Sequence, residues 1–387
     1  LTAAQAMVRY LAVQFSKRDG QVRRLVQGMF GIFGHGNVAG LGQALDEYGD
    51  ELPYYQTRNE QSMVHIASGF AKASRRLATL ACTSSIGPGA TNMVTGAATA
   101  TINRLPVLLV PSDYYATRYQ GPVLQQLEHP ASAEMSVNDA FVPVSRFFDR
   151  ITRPEQLLTA LPEAMRVLTD PAETGAVTIS FPQDIQAHAY NFPVRFFDRR
   201  EWSIERRPAS RDRIEEAAAL IAAAQRPLVI AGGGVLYSEA ESELRQLVDR
   251  FGIPVSETFA GKGACSDSSL CLGGQGVSGT APAGSISSQA DLVIAIGTRM
   301  ADFTTGSQSA FNHPDVKFIS INVDGHDAHK QGGVPILADA RQAICLLWEA
   351  LDAKGVTPDE SYTGEVASLK QGWERQMASA IKPEVGE

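Results

Sequence analysis

Short apolar runs at residues 77–82, 106–110 and 176–181 alternate with longer stretches in which apolar residues recur every three or four positions. The runs read as buried strands. The stretches, at 3–15, 61–74, 90–102 and 154–168, read as amphipathic helices. Strand and helix in alternation are the pattern of a parallel sheet covered by helices on both faces, so residues 1–190 are predicted to form an α/β domain of three layers. Residues 191–210 break the pattern with Asn191-Phe192-Pro193, five arginines (Arg195, Arg199, Arg200, Arg206, Arg207) and Pro208, a composition that predicts a linker. A second alternating unit follows, with helices at 211–224, 238–251 and 340–350 and strands at 227–231, 255, 292–296 and 317–322. This predicts a second Rossmann-like domain over 211–353. The stretch 354–387 is charged and sparse in apolar residues, and reads as a linker.

The length of 387 residues exceeds what a single hydrophobic core usually organises, which agrees with two domains. At 44% apolar and 20% charged residues the chain has enough material for sizeable cores, which excludes global disorder. The 34 basic against 42 acidic residues leave a net charge of -8 and no long basic run, so nucleic acid is not an expected partner. No apolar stretch is long enough to cross a bilayer, and the first residues have helical periodicity rather than the layout of a signal peptide, so the expected setting is the cytoplasm, away from membranes. Cys82, Cys265, Cys271 and Cys345 form no Cys-x-x-Cys pair and read as reduced thiols.

Two segments hold the chemistry. In Tyr54-Tyr55-Gln56-Thr57-Arg58-Asn59-Glu60 a short strand runs into a helix, with Asn59 as the expected N-cap and Glu60 in the first turn. A carboxylate there is stabilised by the helix dipole whether or not it has a catalytic task. In Thr83-Ser84-Ser85-Ile86-Gly87-Pro88-Gly89-Ala90-Thr91-Asn92 a glycine-rich turn comes off a strand and opens a helix, which lets backbone approach a flat ligand. It lacks the Gly-Lys of a nucleotide P-loop.

In this order the two segments resemble the pyrimidine-binding domain of thiamine-diphosphate-dependent enzymes, with the acetohydroxyacid synthases as the nearest large branch. The likeness continues through Phe33-Gly34-His35-Gly36-Asn37, Val123-Leu124-Gln125-Gln126 and Phe181-Pro182-Gln183-Asp184, and covers essentially all 387 residues. It implies that the Glu60 carboxyl bonds N1′ of the cofactor's aminopyrimidine and shares a proton with it in a dry pocket. It also implies that Asn92 contacts the pyrimidine, that Gly87, Pro88 and Gly34 line the cofactor site, and that Gln125 sits near the reacting thiazolium carbon. Where synthases carry Pro-Gly-Gly or Pro-Gly-Ala, this chain has Gly34-His35-Gly36. With Leu124-Gln125-Gln126-Leu127-Glu128-His129-Pro130, that variant is similar to the hydrolases that open trihydroxycyclohexane-1,2-dione in myo-inositol breakdown. His35 is then either an acid/base or hydroxyl partner, or a histidine held locally in a glycine loop.

The resemblance makes the second domain a central domain of the NAD/FAD-binding type. Ala231-Gly232-Gly233-Gly234 departs from Gly-x-Gly-x-x-Gly at Tyr237, so FAD is not expected, and Gly232, Gly297, Arg299 and Asp324 are where a ligand would be sought. His326 and His329 beside Asp324 and Asp327 read as solvated turn residues rather than metal ligands. Family members hold magnesium and the diphosphate through Gly-Asp-Gly followed by a distant Asn. Val323-Asp324-Gly325-His326 matches that only superficially, so a third, diphosphate-binding domain is expected beyond residue 387. No metal ligand is expected within this chain. The expected activity is hydrolytic ring opening of a cyclic dione, dependent on thiamine diphosphate and magnesium, in a homodimer or homotetramer. A synthase-type carboligase and a non-catalytic nucleotide-binding protein are the alternatives.

Overall fold

The computed structural model describes residues 1–118 and 121–381. The chain divides into two compact units, Leu1–Glu205 and Arg206–Glu387.

The first unit contains strands β1 (Gln14–Arg18), β2 (Gln21–Arg24), β3 (Val26–Gly31), β4 (Tyr54–Gln56), β5 (Thr79–Ser84), β6 (Val107–Asp113), β7 (Phe147–Arg150), β8 (Ala176–Pro182) and β9 (Arg200–Ser203). A six-stranded sheet runs β4-β3-β5-β6-β8-β7, with all its pairs parallel. The central strands β5, β6 and β8 are buried along their whole length, because helices cover both faces, and this is why they read as continuous apolar runs without alternation. One face packs on helices Ala3–Ala12 and Leu157–Thr169 through Met7, Leu11, Leu161 and Met165. The other packs on helices Glu60–Ala73 and Val94–Ile102 through Met63, Ala67 and Ala97.

The predicted linker at 191–210 needs correction. Its first part belongs to the first unit: β9 pairs in parallel with β1 in a three-stranded sheet, and Trp202 Nε1 donates to Gln14 Oε1 at 2.9 Å. The arginines that suggested a linker lie over aromatic rings, Arg199 on Phe15 and Arg200 on Trp202, so charge here accompanies packing.

The second unit contains β10 (Pro227–Ala231), β11 (Val255–Glu257), β12 (Cys271–Gly274), β13 (Leu292–Ile296), β14 (Lys317–Asn322) and β15 (Val334–Leu337). They form a parallel sheet in the order β12-β11-β10-β13-β14-β15, the doubly wound arrangement. The stretch read as a linker after residue 353 is corrected too. Residues Glu360–Ala380 are a helix that buries Tyr362 and Val366 in the same cluster as Leu228 and Ile230. Arg226 pairs with Glu365 through two bonds of 3.0 and 2.7 Å, and the Tyr362 hydroxyl donates to the Pro227 carbonyl. Few apolar residues suffice because Tyr362, Val366 and Leu369 share one helical face. Residues 382–387 of that stretch lie outside the described residues.

Candidate functional site

The site residues gather at the C-terminal ends of β3, β5 and β6, where loops leave the first sheet. Asn59 is extended, and its Oδ1 accepts from the Ser62 amide at 2.9 Å, so it caps the helix as its sequence position predicts. This fixes Glu60 in the first turn, where the Asn92 side chain donates to Glu60 Oε2 at 2.8 Å. Glu60 Oε1 has no hydrogen-bond partner among the described residues, and a Cβ on Gly89 would stand 3.3 Å from it. One oxygen is held and the other remains free to bond a ligand.

Gly89 links this pair to a second cluster, since its Cβ would also lie 3.9 Å from Ser85 Cβ. Gly87 has φ +66°, and a Cβ there would meet the Gln125 carbonyl oxygen at 1.8 Å. Glycine is thus required twice, by its backbone angle and by the main chain lying on it. Gln125 is itself left-handed at φ +64°, and the Ser85 hydroxyl reaches its Oε1 at 3.4 Å. Pro88 opens the short helix Pro88–Thr91 that delivers Asn92.

The loop after β3 closes on the same serine. A Cβ on Gly34 would lie 2.6 Å from Ser85 Oγ, and the Gly36 amide donates to that oxygen at 3.4 Å. Asn37, fully buried, accepts from the Gly34 amide at 2.9 Å and donates to Ile32 and Thr83. Gln186 donates to the Gly36 carbonyl and accepts from the Leu41 amide. His35 sits in this pinned loop with Nε2 buried and without a hydrogen-bond partner among the described residues.

Glu60, Asn92, Gly87, Pro88, Gly34 and Gln125 therefore gather around the turn at residues 85–89, and His35 stands in the loop that closes on it. Sequence reading gave no role to Ser85, Asn37, Gln186 or Asp184. The Asp184 carboxylate accepts from the amides of Ala116, Thr117 and Arg118 and from the Thr117 hydroxyl. Burial pushes its carboxyl up, but these donors outweigh burial and hold it below the ordinary aspartate value. Apart from the bonds of Asn37 to Gly34 and Ile32, these contacts join residues far apart in the chain, so no local spacing announces them.

In the second unit, the glycines marked for a ligand are used by the fold. A Cβ on Gly232 would lie 2.3 Å from the Gly297 carbonyl oxygen, and one on Gly234 would lie 2.5 Å from Gly297 Cα. The Gly234 amide donates to the Gly297 carbonyl at 2.9 Å. The loops after β10 and β13 are thus pressed together at the place where doubly wound sheets usually admit a dinucleotide. Asp324 caps the short helix Gly325–His329, in which His326 and His329 are exposed. Among the described residues no helix is long and apolar enough to cross a membrane.

Comparison with known proteins identifies the family of both units. Residues 22–135 match the thiamine pyrophosphate enzyme N-terminal TPP binding domain, and residues 214–347 match the thiamine pyrophosphate enzyme central domain. The chain is 49% identical over 378 residues to the 3D-(3,5/4)-trihydroxycyclohexane-1,2-dione hydrolase of Clostridium tetani (strain Massachusetts / E88), covering 97% of this chain and 58% of the relative. It is 48% identical over 379 residues to the proteins of the same name from Bacillus thuringiensis (strain Al Hakam) and Bacillus cereus (strain AH820), covering 98% of this chain and 58% of each. The chain thus spans less than two thirds of the length of these curated relatives. With its Glu60–Asn92 pair and glycine turns inside the first matched region, the chain belongs to the thiamine pyrophosphate enzymes and comprises their N-terminal and central domains.

Proposed function

We propose that this chain is the cofactor-activating part of a hydrolase that opens a cyclic 1,2-dione of the trihydroxycyclohexane type to a deoxyglucuronic acid. The observation that carries the reading is Glu60, with one oxygen held by Asn92 and the other free beside Gly89, in a chain matched along nearly all its length by dione hydrolases.

The residues fit thiamine diphosphate. Glu60 Oε1 offers an acceptor for a ring nitrogen, the Asn92 amide orients the carboxylate, and Gly89, whose Cβ would stand 3.3 Å from Oε1, puts no side chain beside it. When bound, the cofactor supplies a nucleophilic carbon and takes up the electron pair of the broken carbon–carbon bond. Glu60 holds the proton shared with the cofactor ring, a task that needs a carboxyl group and not merely its shape. Gln125, fixed over Gly87, turns its amide toward Ser85 at the edge of the site. His35, whose Nε2 is buried and unpartnered, serves as the acid/base or hydroxyl partner of the substrate. Across the reaction water adds its oxygen to one carbonyl carbon, which becomes a carboxylic acid. The bond to the neighbouring carbonyl carbon breaks, and that carbon gains a proton and becomes an aldehyde at the other end of the same open-chain product.

Magnesium and the diphosphate are held by residues outside 1–387, and the working enzyme is a cytoplasmic homodimer or homotetramer. The central domain carries no FAD, since Gly232, Gly234 and Gly297 are spent on contact between loops.

The test is a direct assay of the full-length enzyme with thiamine diphosphate and magnesium. Ring-opened acid from the dione is the expected product. Acetolactate from pyruvate, with the dione untouched, would replace this reading with a carboligase, and tight NAD or FAD binding without any thiamine-dependent turnover would replace it with a nucleotide-binding protein.

A further inference from the structure

Gln125 is exposed to solvent and yet held twice. Its main chain is left-handed at φ +64° and lies on Gly87, where a Cβ would meet the Gln125 carbonyl oxygen at 1.8 Å. A residue with a side chain enters that region at a cost, and such strain persists only where the surroundings enforce it. The side chain is held by Ser85, a buried residue whose hydroxyl has little room: a Cβ on Gly34 would lie 2.6 Å from Ser85 Oγ, and one on Gly89 would lie 3.9 Å from Ser85 Cβ. The Gly36 amide donates to Ser85 Oγ at 3.4 Å, and Ser85 Oγ donates to Gln125 Oε1 at 3.4 Å. A hydroxyl has one proton to give, and here a lone pair already faces an N–H, so that proton goes to the carboxamide oxygen. The NH2 end of Gln125 is then the end left for another partner. Nε2 has no hydrogen-bond partner among the described residues.

We propose that Ser85 is a positioning residue: by bonding Gln125 Oε1 it makes Gln125 a hydrogen-bond donor toward the oxygen of the dione carbonyl under attack. This deepens the dione reading and rests on it. When a carbonyl carbon gains a fourth bond its oxygen gains negative charge, which an N–H stabilises and a C=O repels. The polarity of the carboxamide therefore decides whether Gln125 helps or hinders. Gln125 cannot set that polarity alone, because the two ends of a carboxamide have nearly the same shape. Ser85 sets it through a chain of bonds that begins at the Gly36 amide, in the loop that closes on the turn. With its hydroxyl engaged on both sides, Ser85 acts through Gln125 and touches no reactant itself.

The experiment is a double-variant cycle in the full-length enzyme with thiamine diphosphate and magnesium, acting on the trihydroxycyclohexane-1,2-dione. Ser85→Ala removes the hydroxyl, Gln125→Ala removes the carboxamide, and a third protein carries both. Ser85→Ala alone should lower kcat about five- to tenfold and leave KM for the dione and Kd for the cofactor within about twofold, because the lost interaction belongs to the charged oxygen and not to the bound ground state. Gln125→Ala should lower kcat further, and adding Ser85→Ala to it should change kcat by no more than about twofold. A serine that only fills space would cost the same factor in both backgrounds; that result, or an unchanged kcat in Ser85→Ala, overturns the assignment. Gln125→Glu keeps an oxygen for Ser85 and removes the NH2, so kcat within about twofold of wild type would overturn the donor polarity. Should Ser85→Ala not fold, Ser85→Cys, a weak donor in nearly the same space, replaces it with the same expectations. Melts of the four cofactor-free proteins read the contact without turnover: the double variant should lose less than the sum of the two single shifts, and additive shifts overturn the contact. If the wild type turns over no dione but makes acetolactate from pyruvate, the dione reading fails and the same cycle on that reaction decides Ser85. With neither turnover, the positioning role fails as well.

Discussion

The two oxygens of Glu60 stand in different surroundings: Oε2 takes the Asn92 amide proton, whereas Oε1 faces Gly89 with nothing bonded to it. A helix-capping role alone would need neither Asn92 nor the open space, since Asn59 already caps the Ser62 amide. Glu60→Gln preserves the shape and can still pair with Asn92 but cannot share a proton. In the full-length enzyme it should lower turnover by well over tenfold, which corresponds to more than about 1.4 kcal/mol of barrier, while leaving the circular dichroism spectrum unchanged. A smaller loss, measured at saturating cofactor, would remove Glu60 from the proton-sharing role.

At the scale of elements, the site depends on loops that cross-brace one another. The turn after β5 accepts the Gln125 main chain only because residue 87 has no side chain. Gly87→Ala combines a strained positive φ with a collision against backbone, so a loss of at least about 2 kcal/mol is expected, seen as a fall of roughly 4–8 °C in melting temperature. A shift below about 1 °C would mean that the Gln125 segment does not lie on Gly87 in solution. Asp184 braces the loop after β6 by accepting from three consecutive amides. Its folded pKa is depressed, so the bracing is complete above the ordinary aspartate value and is lost as pH falls through the lower folded value. Hydrogen exchange at Ala116, Thr117 and Arg118, corrected for intrinsic rates, should therefore be slow at neutral pH and accelerate only in strong acid. In Asp184→Asn it should be fast already at neutral pH. Equal protection in both proteins would show that the brace is dispensable.

For the molecule as a whole, the question is how much of the cofactor the two units can hold. Residues 1–387 offer Glu60 and Asn92 to the pyrimidine but contain no Gly-Asp-Gly motif for magnesium and diphosphate. Melts of this chain with and without millimolar thiamine diphosphate and magnesium should overlay. A complete site at a hundredfold excess over Kd would add about 2.7 kcal/mol, a shift of several degrees. Such a shift in residues 1–387 would mean that the diphosphate is held here, and the division of labour proposed above would be abandoned.

The sequence by itself determined the two parallel α/β layers, because strands buried on both faces must be continuously apolar, and β13 and β14 appear at the residues where their apolar runs stand. It also determined the N-cap at Asn59 and the glycine turn at Gly87, since both are local requirements of backbone geometry. Composition misled where charge and burial coexist. Arg199 and Arg200 lie on aromatic rings beside β9, and the helix Glu360–Ala380 is anchored through Tyr362, Val366 and the Arg226–Glu365 pair. Only the tertiary structure decided which atoms remain free. Among the described residues Glu60 Oε1, His35 Nε2 and Gln126 Oε1 are unpartnered, while Asn37, Asp184 and Gln186 are consumed in bracing. A side chain's residue type fixes what it can bond, but whether a partner is present depends on segments brought together from more than a hundred positions away, as between Gln186 and Gly36, and no local pattern encodes that.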